Sequence, residues 1–103
     1  MNEAQKKVQL FCKKNNLSSS VEHRVLDVVS ELGELSKEIL KASSYGKSSY
    51  VFNEKIKLEL GDVLFSLITL ANSLDVNLDV ALEAVLKKYE KRIEKGLTPD
   101  SDN

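Results

Sequence analysis

The chain has 103 residues, of which 42% are hydrophobic and 30% charged, with four glycines and one proline; this balance fits one small helical domain spanning 1–103 and argues against a disordered or all-β chain. A formal net charge of -1 gives no overall field to attract nucleic acid or an anionic membrane, so neither is an expected partner. Cys12 is the only cysteine, which excludes an internal disulfide, and no apolar run approaches the roughly 18 residues of a membrane span, so the expected setting is the cytoplasm.

Ala4, Val8 and Phe11 recur at helical spacing before Asn15-Asn16, which predicts a short first helix with a lysine-rich outer face. Ser19 and Glu22 have the spacing of a capping box at the start of a second helix, 21–41. Its stripe of Val21, Val25, Val28, Leu32, Leu35 and Ile39 alternates steps of four and three, the pattern of a helix packed along a core. Residues 42–52 lose that period and are rich in serine, so they read as a loop carrying Tyr45 and Tyr50.

A third helix follows over 53–74, with Ile56, Leu60, Val63, Leu67, Leu70 and Leu74 as its stripe and Leu64, Phe65, Ile68 and Ala71 widening it. A domain this small cannot enclose a helix so apolar, and a homodimer or dimer of dimers is expected. Asn77 or Asp79 caps a fourth helix, 79–95, which ends at Gly96, and residues 97–103 read as a loose tail. The expected fold is all-α, a small oligomeric bundle of about four helices.

The segments E-L-G-E, Glu31 to Glu34, and E-L-G-D, Glu59 to Asp62, echo each other. At about 100° per residue, Glu31, Glu34 and Glu38 fall on one flank of the second helix at the edge of its apolar stripe. Glu59 and Asp62 fall on a matching flank of the third, alongside Lys55, Ser66 and Thr69. Antiparallel packing would let the two flanks face one groove. Either pair alone is common on a solvated helix face. Two pairs, neither interleaved with Lys or Arg and both beside the core stripe, also suit a hard cation held by oxygen ligands, Mg²⁺ or Mn²⁺. Both readings stand on spacing alone. Gly33 and Gly61 each cost roughly 1 kcal/mol against alanine inside a helix, and point away from the acids, so close approach of another helix backbone is their expected use. His23, without a partner cluster, reads as an ordinary surface or cap residue.

E-L-G-E, 24 intervening residues and then E-L-G-D resemble the E-x-x-E and E-x-x-D signature of the MazG-like, all-α nucleoside triphosphate pyrophosphohydrolases. The segments Lys88-Tyr89-Glu90-Lys91-Arg92 and A-N-S-L-D-V-N-L-D-V-A-L are similar to that family as well, so the resemblance covers about residues 21–93. It implies a Mg²⁺-dependent enzyme that cuts a nucleoside triphosphate between its α and β phosphates. Glu31, Glu34, Glu59 and Asp62 would be metal ligands, Glu34 with Glu31 the catalytic carboxylates, Lys88 and Arg92 the phosphate-binding pair, and Glu38 an auxiliary acid. Two positions depart from many relatives: Ser30 stands where they carry a further glutamate, and Leu86 where they carry an asparagine. Phosphoribosyl-ATP is an alternative substrate that the same acids would suit. A catalytically silent helical module that binds a nucleotide or a partner is the alternative from another class.

Overall fold

The computed structural model describes residues 1–100, and in them the chain forms four helices and no strand: α1 (Glu3–Lys14), α2 (Val21–Ala42), α3 (Glu54–Ser73) and α4 (Leu78–Glu94). Every start is fixed by a side chain that satisfies an otherwise unpaired backbone N–H. Asn2 accepts from Gln5, Asn53 from Ile56, and Asn77 from both Asp79 and Val80. The cap of α2 is Ser20, one residue later than the spacing suggested: its hydroxyl accepts from the His23 N–H at 3.2 Å. Ser19 Oγ instead lies 3.2 Å from His23 Nδ1, so the box with Glu22 does not form. Three successive serines offer equivalent hydroxyls, and the path of the chain selects among them.

The chain places α2 and α3 side by side and antiparallel, as the contacts of Glu31 with Asp62 and of Glu38 with Lys55 require. On α3 also rests α1, with the Phe11 ring edge-on to Phe65 and their centroids 5.9 Å apart. Three helices in a row cover only narrow strips of one another. The buried apolar residues are accordingly Ile56, Ile68 and Ala71, and α3 also buries Ser66 and Thr69. Leu60, Leu67 and Leu74, which the spacing assigned to the core face of α3, remain 57%, 40% and 51% exposed. Val25, Leu32 and Ile39 of α2 are exposed as well.

The shape carries the same imbalance. The accessible surface is 7769 Å², about 2,000 Å² more than a compact monomer of this mass exposes. The radius of gyration is 16.9 Å, against about 13 Å for a compact chain of this length.

Most of that extension comes from α4, which leaves α3 at an angle of 98° and buries none of its residues. The corner is made by Asp75, whose φ of 55° an aspartate tolerates better than most side chains. It is clamped from outside by Gln5, whose side chain is fully buried. Gln5 Nε2 donates to Asn72 Oδ1 at 3.0 Å and to the Val76 carbonyl at 2.8 Å. Its Oε1 accepts from the Leu78 N–H at 2.8 Å, satisfying the first turn of α4. Asn72 Nδ2 returns a bond to the Gln5 carbonyl, and Asn2 Nδ2 donates to Asp79 Oδ1.

At its far end α4 closes with Gly96 at φ 78°, and Leu97 N–H bonds back to the Arg92 carbonyl. The Arg92 guanidinium donates to the carbonyl of Pro99, so residues 97–100 fold back on the helix, while 101–103 of the expected tail lie outside the described residues. Among the described residues, no single helix is long and apolar enough to cross a membrane.

Candidate metal and nucleotide site

The two acidic flanks meet along one edge of the α2–α3 pair. Glu31, Glu59 and Asp62 each offer a carboxylate oxygen, and these oxygens all lie within 4.8 Å of one another. Glu31 and Glu59 are half-buried and Asp62 is exposed. Burial pushes the Glu31 carboxyl above its ordinary value, and the charges of Asp62, Glu59, Glu34 and Asp27 push it the same way. Asp27 was not singled out from the sequence, although it stands four residues before Glu31 on the same flank. The spacing that selects Glu31, Glu34 and Glu38 would have found it if extended by one turn.

Glu34 is not one of the converging trio. It is exposed, and its Oε2 lies 3.8 Å from Lys37 Nζ. Glu38 is elsewhere again: it is buried, and its Oε1 lies 3.6 Å from Lys55 Nζ across the helix pair and 3.9 Å from Lys41 Nζ on its own helix. The flank therefore divides into a trio, an outlying acid and a neutralised acid.

On α4, Lys88 and Arg92 straddle the Tyr89 ring, with Lys88 Nζ 5.4 Å and Arg92 Cζ 5.9 Å from its centroid. Together with Lys91 and Lys95 they line a shallow basic cleft. The fold does not bring them to the acids of their own chain. At 1.5 Å per helical residue and a right-angled corner, the backbones of Asp62 and Lys88 stand about 23 Å apart. Gly33 and Gly61 also depart from expectation: a methyl group built at either would meet no atom within 4 Å, so no helix of this chain approaches them. Gly61 instead opens onto a groove between α1 and α3, lined by Val8, Leu10, Leu64 and Phe65. His23 helps start α2 and takes no part in the acidic edge.

Three convergent carboxylates with no sulfur or imidazole donor among them form an oxygen-only set. Such a set fits a hard divalent cation such as Mg²⁺ or Mn²⁺ and does not suit the nitrogen- and sulfur-rich coordination typical of zinc. Burial is the first cause of the raised Glu31 carboxyl and the neighbouring acids the second; like charges this close favour a proton or a cation between them.

Comparison with known proteins points the same way. The MazG nucleotide pyrophosphohydrolase domain matches residues 19–97. The chain is also similar to a solved structure, described as the crystal structure of the Bacillus-conserved MazG protein, a nucleotide pyrophosphohydrolase. The two share 32% identity with a TM-score of 0.71, over 84% of this chain and 85% of that one. No curated protein matches the sequence at a significant level. The acidic edge, the all-α architecture and the match over most of its length together make this chain a member of the MazG nucleotide pyrophosphohydrolase family.

Proposed function

We propose that the protein hydrolyses nucleoside triphosphates to the monophosphate and pyrophosphate with Mg²⁺ held by Glu31, Glu59 and Asp62. The observation that carries this reading is the convergence of three carboxylates from two helices within 4.8 Å, in a chain of a family of nucleotide pyrophosphohydrolases. A divalent ion bound there would neutralise the triphosphate and make a nearby water more acidic. Glu34, exposed and outside the trio, takes the proton of the attacking water as general base. The water oxygen bonds to the α-phosphorus, the bond from that phosphorus to the bridging oxygen breaks, and pyrophosphate leaves.

Lys88 and Arg92 complete the site only in an oligomer. Within one chain the backbones of Lys88 and Asp62 stand about 23 Å apart, so the triphosphate that this basic pair serves sits on a neighbouring copy. What supports an oligomer is the excess of about 2,000 Å² over a compact monomer, a quantity in the range that each partner of an obligate assembly buries. The exposed Val80, Leu82, Leu86 and Ile93 of α4 are part of that surface. Sedimentation at micromolar concentration is expected to show a dimer or a dimer of dimers, and a stable monomer would refute the assembly.

The activity is tested by incubating the protein with Mg²⁺ and a panel of canonical, deoxy and modified triphosphates together with phosphoribosyl-ATP. Pyrophosphate and a monophosphate should appear from at least one of them, and EDTA should stop the reaction. No pyrophosphate from any substrate would leave the chain as a binding module.

A further inference from the structure

The buried carboxylate of Glu38 has no part in the chemistry above, yet it lies on the same edge. Among the described residues, its 3.6 Å contact with Lys55 is the one ion pair that joins two helices; the others link residues three apart on one helix. Its position is informative. Starting from Glu38 opposite Lys55, one turn along the antiparallel pair brings Glu34 level with Glu59, and a second brings Glu31 level with Asp62. The edge is thus a ladder of three levels in one register. The first joins opposite charges across the helices; at the next Glu34 turns outward to Lys37 and leaves Glu59 to the trio, and the last sets Glu31 against Asp62.

The like-charged trio favours separation or sliding of α2 against α3 when no cation lies between its carboxylates. A slip of one residue would carry each acid about 1.5 Å along the pair, out of level with its counterpart. The opposed pair at the end of the ladder resists that slip: Glu38 is its buried end, at 6% exposure, and Lys55 reaches it from the solvent side. The apolar contacts of Ile56, one residue beyond Lys55, seat the same turn of α3.

We propose that Lys55, through its cross-helix pair with Glu38, is a positioning residue that sets the register in which Glu31, Glu59 and Asp62 converge on a divalent cation. The proposal rests on the metal reading of the trio and adds to it a residue that touches neither cation nor substrate. It makes a prediction that charge alone would reverse. Removing a nearby positive charge should tighten binding of a cation, whereas losing the register should weaken it.

The test is Mn²⁺ binding to the substrate-free protein, followed by electron paramagnetic resonance, with helicity checked by circular dichroism. Lys55→Met should weaken Mn²⁺ binding about tenfold, the scale seen when groups that orient metal ligands are removed. Lys41→Met removes the same charge from the same carboxylate but within α2, and should leave the affinity unchanged or slightly tighter. Lys55→Arg keeps the cross-helix charge and should retain wild-type affinity. Lys55 is two-thirds exposed, so none of these changes fills or empties the core. If Lys55→Met lost helicity, the Lys55→Arg and Lys41→Met proteins would still decide. Unchanged or tighter binding in Lys55→Met, or binding by Lys55→Arg as weak as tenfold below wild type, overturns the positioning role. Wild-type protein that binds no Mn²⁺ would instead overturn the metal reading itself.

Discussion

Glu59→Gln is expected to lower pyrophosphate release by about 10³-fold or more, the equivalent of roughly 4 kcal/mol of transition-state stabilisation, while leaving the fold intact. Glu59 belongs to the trio whose oxygens lie within 4.8 Å, and glutamine keeps its shape while removing the charge that a hard cation needs. Steady-state kinetics across a Mg²⁺ titration separates the causes. Loss of a ligand shifts the Mg²⁺ dependence to higher concentration, whereas general damage lowers the rate at every concentration.

The same substitution has a second, opposite effect on the metal-free protein. Glu31 has a folded pKa raised above its ordinary value of 4.5 by burial and by Asp62, Glu59, Glu34 and Asp27. The sign follows from linkage: the proton binds the folded state more tightly, so the unfavourable contribution is absent below 4.5 and grows as pH rises through the folded value. Glu59→Gln removes one of the charges responsible. In EDTA the variant should therefore melt above wild type at neutral pH, and the difference should vanish as the pH falls toward 4.5. A variant less stable than wild type at neutral pH without metal would mean that Glu59 serves the fold rather than a cation.

Gln5→Ala should be the most damaging single change to stability, by about 3 kcal/mol. Gln5 is fully buried and uses both ends of its amide. Alanine leaves the Val76 carbonyl, the Leu78 N–H and Asn72 without their buried partner, and opens a space where the amide was. For a domain of this size the loss corresponds to a fall of about 15 °C in melting temperature, compared at fixed protein concentration because assembly contributes to stability. Gln5→Glu probes the cause. It keeps an acceptor for Leu78 but turns an oxygen toward Asn72 Oδ1 and the Val76 carbonyl, so it too should destabilise. A Gln5→Glu protein as stable as wild type would show that the clamp acts through packing rather than through hydrogen bonds.

Gln5 also marks where sequence reasoning stopped. Glutamine on the outer part of a short helix reads as a solvated residue, and its four partners lie 67 to 73 positions away or at the N-cap. Nothing local signals them. The helices themselves were legible, because apolar steps of three and four and the caps at Asn77 and Gly96 are local properties. The convergence of Glu31 with Glu59 and Asp62 was legible too, since wheel angles and an antiparallel neighbour suffice to place it. Glu34 escaped the trio because a shared flank does not fix which way a long side chain turns, and Lys37 lies within reach of it. The stripe of α3 was read as apolar and as too wide for this chain alone to enclose, but the spacing did not say which of its residues stay uncovered. Leu60, Leu67 and Leu74 face outward because the period of a helix reports which residues avoid water, not whether their cover comes from the same chain. Gly33 and Gly61 stand open for the same reason.

Glu31, Glu59 and Asp62 are expected to share a divalent cation when a triphosphate is bound. The most direct test is a crystal grown with Mn²⁺ and an α,β-imido triphosphate analogue, with anomalous scattering recorded at the manganese edge. The expected result is a peak bonded to oxygens of all three carboxylates, with the α-phosphate of the analogue beside it. A bound analogue with no peak there, or with Glu31 turned away from Glu59 and Asp62, would contradict it.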